Sequence, residues 1–281
     1  MQFLKSRKSA FVSGSHGGFT LIEIMMVIVI LGIIGVVGAD FIASIFRGFG
    51  DSNTRLAMYE EGKTALVRME RELHGMLPNA VCVTNNGGGS CESDGTGGNE
   101  IRFGMILEDM MRNNNLVGSY TEEPIDFPRI SPATLTETNG GASLQVNSIV
   151  SVYNTNWNSF ALGTRLFRIT SVAANVMTFG GQTITEPSPQ QRYYVLDRGV
   201  SYRWDSGTKI LYRSVETVNV GGLGTFGSSV EYPLARDVGD CKFYYMAPSL
   251  SRNGIISVVF TMEKGGNSVV MHKEIHVKNV P

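Results

Sequence analysis

The hydropathy of this chain changes character twice. From Leu21 to Ala39 every position is apolar or glycine except Glu23. From Phe41 to about Leu77 apolar residues recur mostly at spacings of three and four: Leu56, Tyr59, Leu66, Met69, Leu73, then Met76 or Leu77. Arg55, Glu61, Arg68, Arg71 and Glu72 fall on the other faces, and Arg68, Arg71 and Glu72 most simply form helix-surface pairs. The spacing predicts one long helix, apolar all round in its first half and amphipathic in its second. Gly75 weakens its last turn and Pro78 closes it. The apolar stripe is too short and irregular for a sustained coiled coil.

After Pro78 the helical period gives way to short runs in which apolar residues alternate with polar ones. Residues 83 to 99 are rich in Gly, Asn and Ser and read as an exposed loop, followed by a strand over Ile101–Leu107. Residues 108 to 142, with Pro124, Pro128 and Pro132, read as an ordered surface excursion. Strands are expected at Leu144–Tyr153, Leu166–Val172, Asn175–Phe179, Tyr193–Leu196, Val200–Trp204, Lys209–Val215, Lys242–Met246, Ile255–Glu263 and Ser268–Val277. The turns Asp205-Ser206-Gly207 and Gly265-Gly266-Asn267 predict hairpins. The fold class expected is α+β, with a long N-terminal helix packed on an antiparallel sheet. The chain is expected to divide into four segments: a leader over 1–18, a membrane-spanning segment over 19–39, an amphipathic extension of the helix over 40–77, and a β-rich domain over 78–281.

Phe19 to Ala39, at ~1.5 Å per residue, spans roughly 30 Å, enough to cross a hydrocarbon core. Lys5, Arg7 and Lys8 precede the segment and no cationic cluster comes after it. The leader is therefore expected in the cytoplasm and the later chain outside the inner membrane. Two other readings compete. Val37-Gly38-Ala39 before Asp40 has the small-residue spacing of a secretory cleavage site, but the apolar run is longer than a usual signal core and Glu23 interrupts its start. A plain uncleaved anchor explains neither Glu23 nor Gly18-Phe19-Thr20. A carboxylate in a membrane helix is costly, so its default reading is functional. Gly32, Gly35 and Gly38 recur every third residue and read as packing or flexibility sites.

Gly18-Phe-Thr-Leu-Ile-Glu23 resembles the processing site of type IV prepilins and type II secretion pseudopilins. The resemblance implies that a prepilin peptidase cuts after Gly18 and methylates the new amine of Phe19. It also implies a pilin fold, and partners comprising other minor pilins, the major pilin and an inner-membrane assembly platform, with lipid around the apolar helix. Glu23 then has a chemical purpose. A free amine at Phe19 and a carboxylate at Glu23 are each costly in lipid, and pairing them between neighbouring subunits offsets both costs and sets register. Many pilins carry a helix-kinking proline about where Asp40 stands; this chain departs from that pattern. Arg68-Met-Glu-Arg-Glu-Leu-His-Gly-Met-Leu-Pro-Asn-Ala-Val81, Pro187-Ser-Pro-Gln-Gln-Arg-Tyr-Tyr-Val-Leu-Asp197 and Glu274-Ile-His-Val-Lys-Asn-Val-Pro281 together resemble minor pilin-like proteins of the mannose-sensitive haemagglutinin (MSHA) pilus system. The Arg71-Glu72-Leu73 ending also resembles J-type minor pseudopilins. An exposed segment 83 to 142 leaves room for a tip adhesin.

Composition narrows the functional classes. At 281 residues the chain is long enough for a sizeable core, and its 33 glycines suit a loop-rich β domain. The net charge is −1, and most leader-side charge is basic, so the part after Ala39 is weakly acidic and offers nucleic acid no general footing. Cys82 and Cys91 flank a glycine-rich loop, which admits a local bridge in an oxidising compartment. Sequence does not fix the pairing, one thiol (Cys241) is left over, and three unbridged thiols remain the alternative. Gly222-Leu-Gly224-Thr-Phe-Gly227 fits a dinucleotide fingerprint literally but opens no convincing helix and reads as a hairpin loop. His272, Glu274 and His276 share one face of a terminal strand, and a solvated polar face is favoured over a metal site there. His16 and His74 lie in the leader and on the amphipathic helix. No serine–histidine pair or carboxylate dyad has an indicative context. No enzyme, cofactor or metal is expected.

Overall fold

A computed structural model describes residues 18–85, 90–107, 118–121, 129, 133–138, 144–223, 230–248 and 253–277. Helix α1 runs Leu21–His74 without interruption at Asp40. The chain divides into two compact units after Ser52, within this helix. In the first unit the described residues are helical from Leu21 and almost all exposed. The second unit holds the rest of α1 and all the strands.

Helix α1 ends at His74, three residues short of the expected Leu77. Met76 and Leu77 instead open strand β1 (Met76–Thr84), which contains Pro78. Gly75 makes the turn, its N–H donating to the Glu72 carbonyl at 3.1 Å. Pro78 is tolerated because the ladder to β2 (Glu100–Ile106) is broken there: the register shifts between Met76 and Val81, and Asn79 has φ 59°. Asn154 pins this bulge by donating from Nδ2 to the Pro78 carbonyl at 3.1 Å. A proline that reads as a helix stop is here a strand irregularity.

The next strands are β3 (Gly118–Thr121), β4 (Ala133–Glu137) and β5 (Ile149–Val152). The first two fall in the expected excursion, where residues 108–117, 122–128 and 139–143 lie outside the described residues. A short helix α2 (Trp157–Ala161), not foreseen, starts on Asn156, whose Oδ1 accepts the Ser159 N–H at 2.9 Å. The expected strand over Leu166–Val172 is split into β6 (Leu166–Arg168) and β7 (Ser171–Ala173), followed by β8 (Val176–Phe179). The two runs read as Tyr193–Leu196 and Val200–Trp204 are one continuous strand, β9 (Arg192–Asp205). β10 (Ile210–Asn219), β11 (Gly222–Leu223), β12 (Glu231–Ala235), β13 (Val238–Met246), β14 (Gly254–Lys264) and β15 (Asn267–Val277) complete the chain.

All the described ladders are antiparallel. Both expected hairpins form. Ile210 pairs with Asp205, whose carboxylate accepts the Gly207 and Thr208 N–H groups at 2.9 and 3.1 Å. Lys264 pairs with Asn267 around Gly265 and Gly266, both at positive φ, as a tight two-residue hairpin requires. β13, β14 and β15 form a separate three-stranded sheet.

Strand β9 organises the rest. Its C-terminal half pairs with β2 and β10, and its N-terminal half with β3 and β5. Two hydrophobic cores result. One contains Val200 and Tyr202 of β9 with Phe243, Phe260, Met262 and Met271 of the three-stranded sheet, and with Met58, Ala65, Met69 and Leu73 of α1. The other contains Tyr193 to Leu196 with Leu135, Phe160, Phe167 and Phe179.

The buried face of α1 matches the expected stripe only in its later part, where Met69 and Leu73 are buried and Leu66 packs against the core. Met58, Gly62, Ala65, Met69, Glu72 and Leu73 are buried, whereas Leu56 and Tyr59 face solvent. Gly62 explains the shift, because it lets the helix approach β14 and β15 closely. A Cβ there would lie 2.5 Å from the Met271 thioether and 2.9 Å from Met262 Sδ. Gly62→Ala meets only flexible methionine ends that can turn aside. Gly62→Leu cannot be absorbed that way and should cost about 1–3 kcal/mol, read as a fall in the thermal unfolding midpoint.

Candidate functional site

The helix N-terminus is built by local hydrogen bonding. Thr20 accepts the Glu23 N–H on both its hydroxyl (3.3 Å) and its carbonyl (3.1 Å), and its carbonyl also takes the Ile24 N–H at 3.2 Å. Thr20 thus caps α1, and Thr20-Leu-Ile-Glu23 has the spacing of a capping box. Gly18 and Phe19 lie ahead of the first helical residue, and Phe19 is 78% exposed. Glu23 sits in the first turn, where the helix dipole favours negative charge. The leader residues 1–17, with Lys5, Arg7 and Lys8, lie outside the described residues.

Beyond the cap, the apolar residues from Leu21 to Phe49 are exposed. The helix is long and apolar enough to cross a membrane: its most apolar 18-residue window has a mean hydropathy of 2.8 and no part of it is buried. Gly32, Gly35 and Gly38 have no atom within 4 Å of where a Cβ would stand, so intrachain packing does not require glycine at any of them.

At the other end of α1 the expected surface pair proves to be a buried one. Glu72 is 4% exposed. Arg213 of β10 donates from Nε to both of its carboxylate oxygens, at 3.1 and 2.9 Å. The Tyr202 hydroxyl of β9 donates to Oε2. Arg68, one turn back, approaches Oε1 at 3.4 Å. Burial by itself would raise the Glu72 pKa, but the hydrogen bonds from Arg213 and Tyr202 and the charges of Arg213 and Arg68 outweigh it and hold it low. Burial, and then the facing carboxylate, push the Tyr202 phenol up. Sequence reasoning missed this site, though two signals were present: Glu72 adjoins Leu73 on the buried stripe, and Arg213 stands two residues after inward Leu211, on the same face of β10.

Among the weaker candidates, Cys82 and Cys91 are bonded, closing a short loop between β1 and β2, and Cys241 is a buried free thiol. The loop over 83–99 is less open than its composition suggests. Val83 and Thr84 are buried in β1, and Gly98 bridges to Phe243 of β13. His272, Glu274 and His276 lie on the exposed face of β15, where His272 Nε2 is 2.9 Å from Ser257 Oγ. Among the described residues no group of three or more histidine, cysteine or acidic side chains could hold a metal. His74 lies 4.0 Å from Glu70 on the exposed side of α1, and His16 lies outside the described residues. Gly222 belongs to a two-residue strand, and Gly224 and Gly227 lie outside the described residues.

Residues 14–39 match the family of the prokaryotic N-terminal methylation motif. No curated protein and no solved structure matches the chain. The motif, joined to a 54-residue helix whose later part packs on antiparallel sheets, makes this a type IV pilin/pseudopilin-like protein. The motif implies processing by a prepilin peptidase, and proteins of this class are structural rather than enzymatic. The exposed apolar helix and the motif are consistent with anchoring in the inner membrane and incorporation into a pilus.

The Glu72 site leads to two expected outcomes. Glu72→Ala strands Arg213 in the core and should cost about 3–5 kcal/mol in chemical denaturation. The folded-state pKa of Glu72 is lowered, so its stabilisation is complete above the ordinary glutamate value of about 4.3 and fades as pH falls through the lower folded value. Glu72→Gln should therefore lose part of the acid-induced drop in stability between neutral pH and pH ~3.

Proposed function

We propose that this chain is a minor subunit of an MSHA-like pilus, resembling MshO in the three segments 68–81, 187–197 and 274–281. In this reading the peptidase cuts between Gly18 and Phe19 and methylates the Phe19 amine. The subunit waits in the inner membrane as a single-pass protein with its β domain in the periplasm, and it then helps initiate, assemble or cap a filament with other minor pilins, the major pilin and the assembly platform. Residues 1–18 are its leader, 19–39 its membrane segment, and 40 to His74 the rest of its stem.

The observation that carries the proposal is the position of Glu23. It is the sole charge between Leu21 and Ala39, five residues into the chain that cutting after Gly18 would leave. A carboxylate in that setting needs a cationic partner, and the chain released by the peptidase supplies one at its own N-terminus, in a neighbouring subunit. A second reading, a J-type pseudopilin at the tip of a secretion pseudopilus, is favoured by Arg71-Glu72-Leu73. A third, a tip adhesin using residues 83–142, rests on a segment much of which lies outside the described residues.

Edman sequencing of the mature protein should begin at N-methylated Phe19; a start at Asp40 or Met1 would overturn the processing claim. Glu23→Ala should block filament incorporation or methylation while leaving the β domain folded, as read by immunoblotting of sheared filaments and circular dichroism. Normal piliation in that variant would sink the docking role. Mass spectrometry of purified MSHA-like pili and of secretion pseudopili separates the first two readings, since the subunit should be recovered from only one.

A further inference from the structure

A strap of chain sews the two sheets of the β domain together. It runs from Glu92 to Asn99, between the bonded Cys91 and the start of β2. At its beginning the Glu92 N–H donates to the Val83 carbonyl of β1 at 2.8 Å, and Asn85 Nδ2 donates to Glu92 Oε1 at 2.7 Å. Its middle crosses to the other sheet and follows β13. Phe243 and Gly98 exchange two backbone hydrogen bonds, at 2.8 and 2.9 Å. The Gly95 N–H donates to the Tyr245 carbonyl at 2.8 Å, and Asp94 Oδ1 accepts the Ala247 N–H.

Strand β13 stands at the end of its sheet, with β14 on its other side. Alternate residues of an end strand aim their backbone groups away from the sheet. The strap takes such groups at Phe243, Tyr245 and Ala247, as a further strand would. An uncovered end strand is a template for pairing with another chain. Lys242-Phe-Tyr-Tyr-Met246 is prone to it, with one charge, three aromatic residues and no glycine or proline.

Little besides those bonds holds the strap down. Gly95 has φ 76°. A Cβ on Gly97 would lie 2.6 Å from the Tyr244 ring, and one on Gly98 would lie 2.5 Å from the Thr84 carbonyl oxygen. Glycines therefore make the close fit, but they bring no apolar side chain to bury and lose the most entropy when ordered. The Cys82–Cys91 bond offsets that loss by tying the start of the strap to β1, which shortens the chain left to fluctuate. Cys82 is buried in β1, whereas Cys91 is exposed, on the side open to thiol exchange.

We propose that Glu92–Asn99 is a redox-closed strap: the Cys82–Cys91 bond keeps it sealed over the edge of β13, and opening the bond leaves that edge to pair with β13 of a second copy of this chain. Like strands meeting edge to edge are self-complementary about a two-fold axis, so one sequence supplies both halves of the contact. Closing is a thiol–disulfide exchange. The two thiols give two electrons and two protons to the disulfide of a dithiol oxidant, which leaves as the dithiol. The oxidised chain then stays single at this edge. The device rests on the fold alone, not on the pilus reading.

The test compares purified full-length protein in detergent micelles before and after dithiothreitol, by hydrogen–deuterium exchange and sedimentation. In dilute reduced protein the amides of Gly95, Gly98, Phe243 and Ala247 should exchange roughly tenfold faster, with the β14–β15 ladder unchanged. Concentrating the reduced protein should form dimers beyond those of the oxidised protein. It should also restore slow exchange at Phe243 and Ala247, but not at Gly95 and Gly98. Gly98→Val, whose side chain cannot fit against the Thr84 carbonyl, should give the same changes with the bond intact. Unchanged exchange on reduction would overturn the strap. Equal acceleration in β14 and β15 would overturn it too, because the bond would then support the whole domain. Fast exchange without added dimers, or dimers in which Phe243 and Ala247 still exchange fast, would overturn the pairing of copies.

Discussion

A buried charge pair ties the end of the long helix to the sheet. Glu72 sits at the last turn of α1, the point where the helix must stop and hand the chain to β1. Its carboxylate is gripped by Arg213 and Tyr202, which come from the paired strands β10 and β9. Apolar contacts alone would let the helix slide or turn over the methionine-rich surface beneath it. A carboxylate held by fixed donors permits only one axial and rotational setting. Other ties agree with that setting: Arg55 donates to Asn267 at 2.8 Å, Lys273 pairs with Glu70 at 3.0 Å, and Glu61 accepts the Arg236 N–H at 2.8 Å.

The same helix is suited to two surroundings, and its backbone allows this because an α-helix satisfies its hydrogen bonds internally. Side chains then decide the surroundings. The first half presents apolar residues all round, which suits lipid or other apolar helices. The second half presents glycine and methionine to the sheet and keeps charge elsewhere. Glu23 and Glu72 are chemically the same residue near opposite ends of one helix. Glu72 finds its cation within the chain, whereas Glu23 lies in an exposed stretch of helix and, in the proposed reading, meets the amine of a neighbour. This contrast is why one is an anchor of the fold and the other the centre of the proposed assembly contact.

The N-terminal architecture was legible because its signals are local and one-dimensional. A run of apolar residues of membrane length with a lone glutamate within it does not depend on what lies across the fold. The two hairpins were legible for the same reason, since Asp205-Ser206-Gly207 and Gly265-Gly266 encode turns in adjacent residues. Pro78 misled because a proline forbids helix continuation and equally suits a bulged strand; only the pairing of β1 with β2 separates the two. Tyr193–Leu196 and Val200–Trp204 looked like two strands because Asp197, Arg198 and Gly199 interrupt the apolar pattern. The ladders to β2 and β10 run through Arg198 and Gly199, with a register shift in the β2 ladder at Asp197, and keep β9 continuous.

The sequence by itself determined the class of protein, the long N-terminal helix with its membrane-length apolar segment, and the antiparallel character of the β domain. Each rests on residues close together in the chain. Only the tertiary structure decided which face of α1 is covered, that Glu72 is a core residue, that Cys82 bonds to Cys91, and that β9 joins two cores. Each of those depends on how separate parts of the chain meet, and close approach at Gly62 outweighed the larger apolar side chains of Leu56 and Tyr59 in choosing the face. Hydrophobicity tells a helix that it must be covered; packing against a particular surface tells it where.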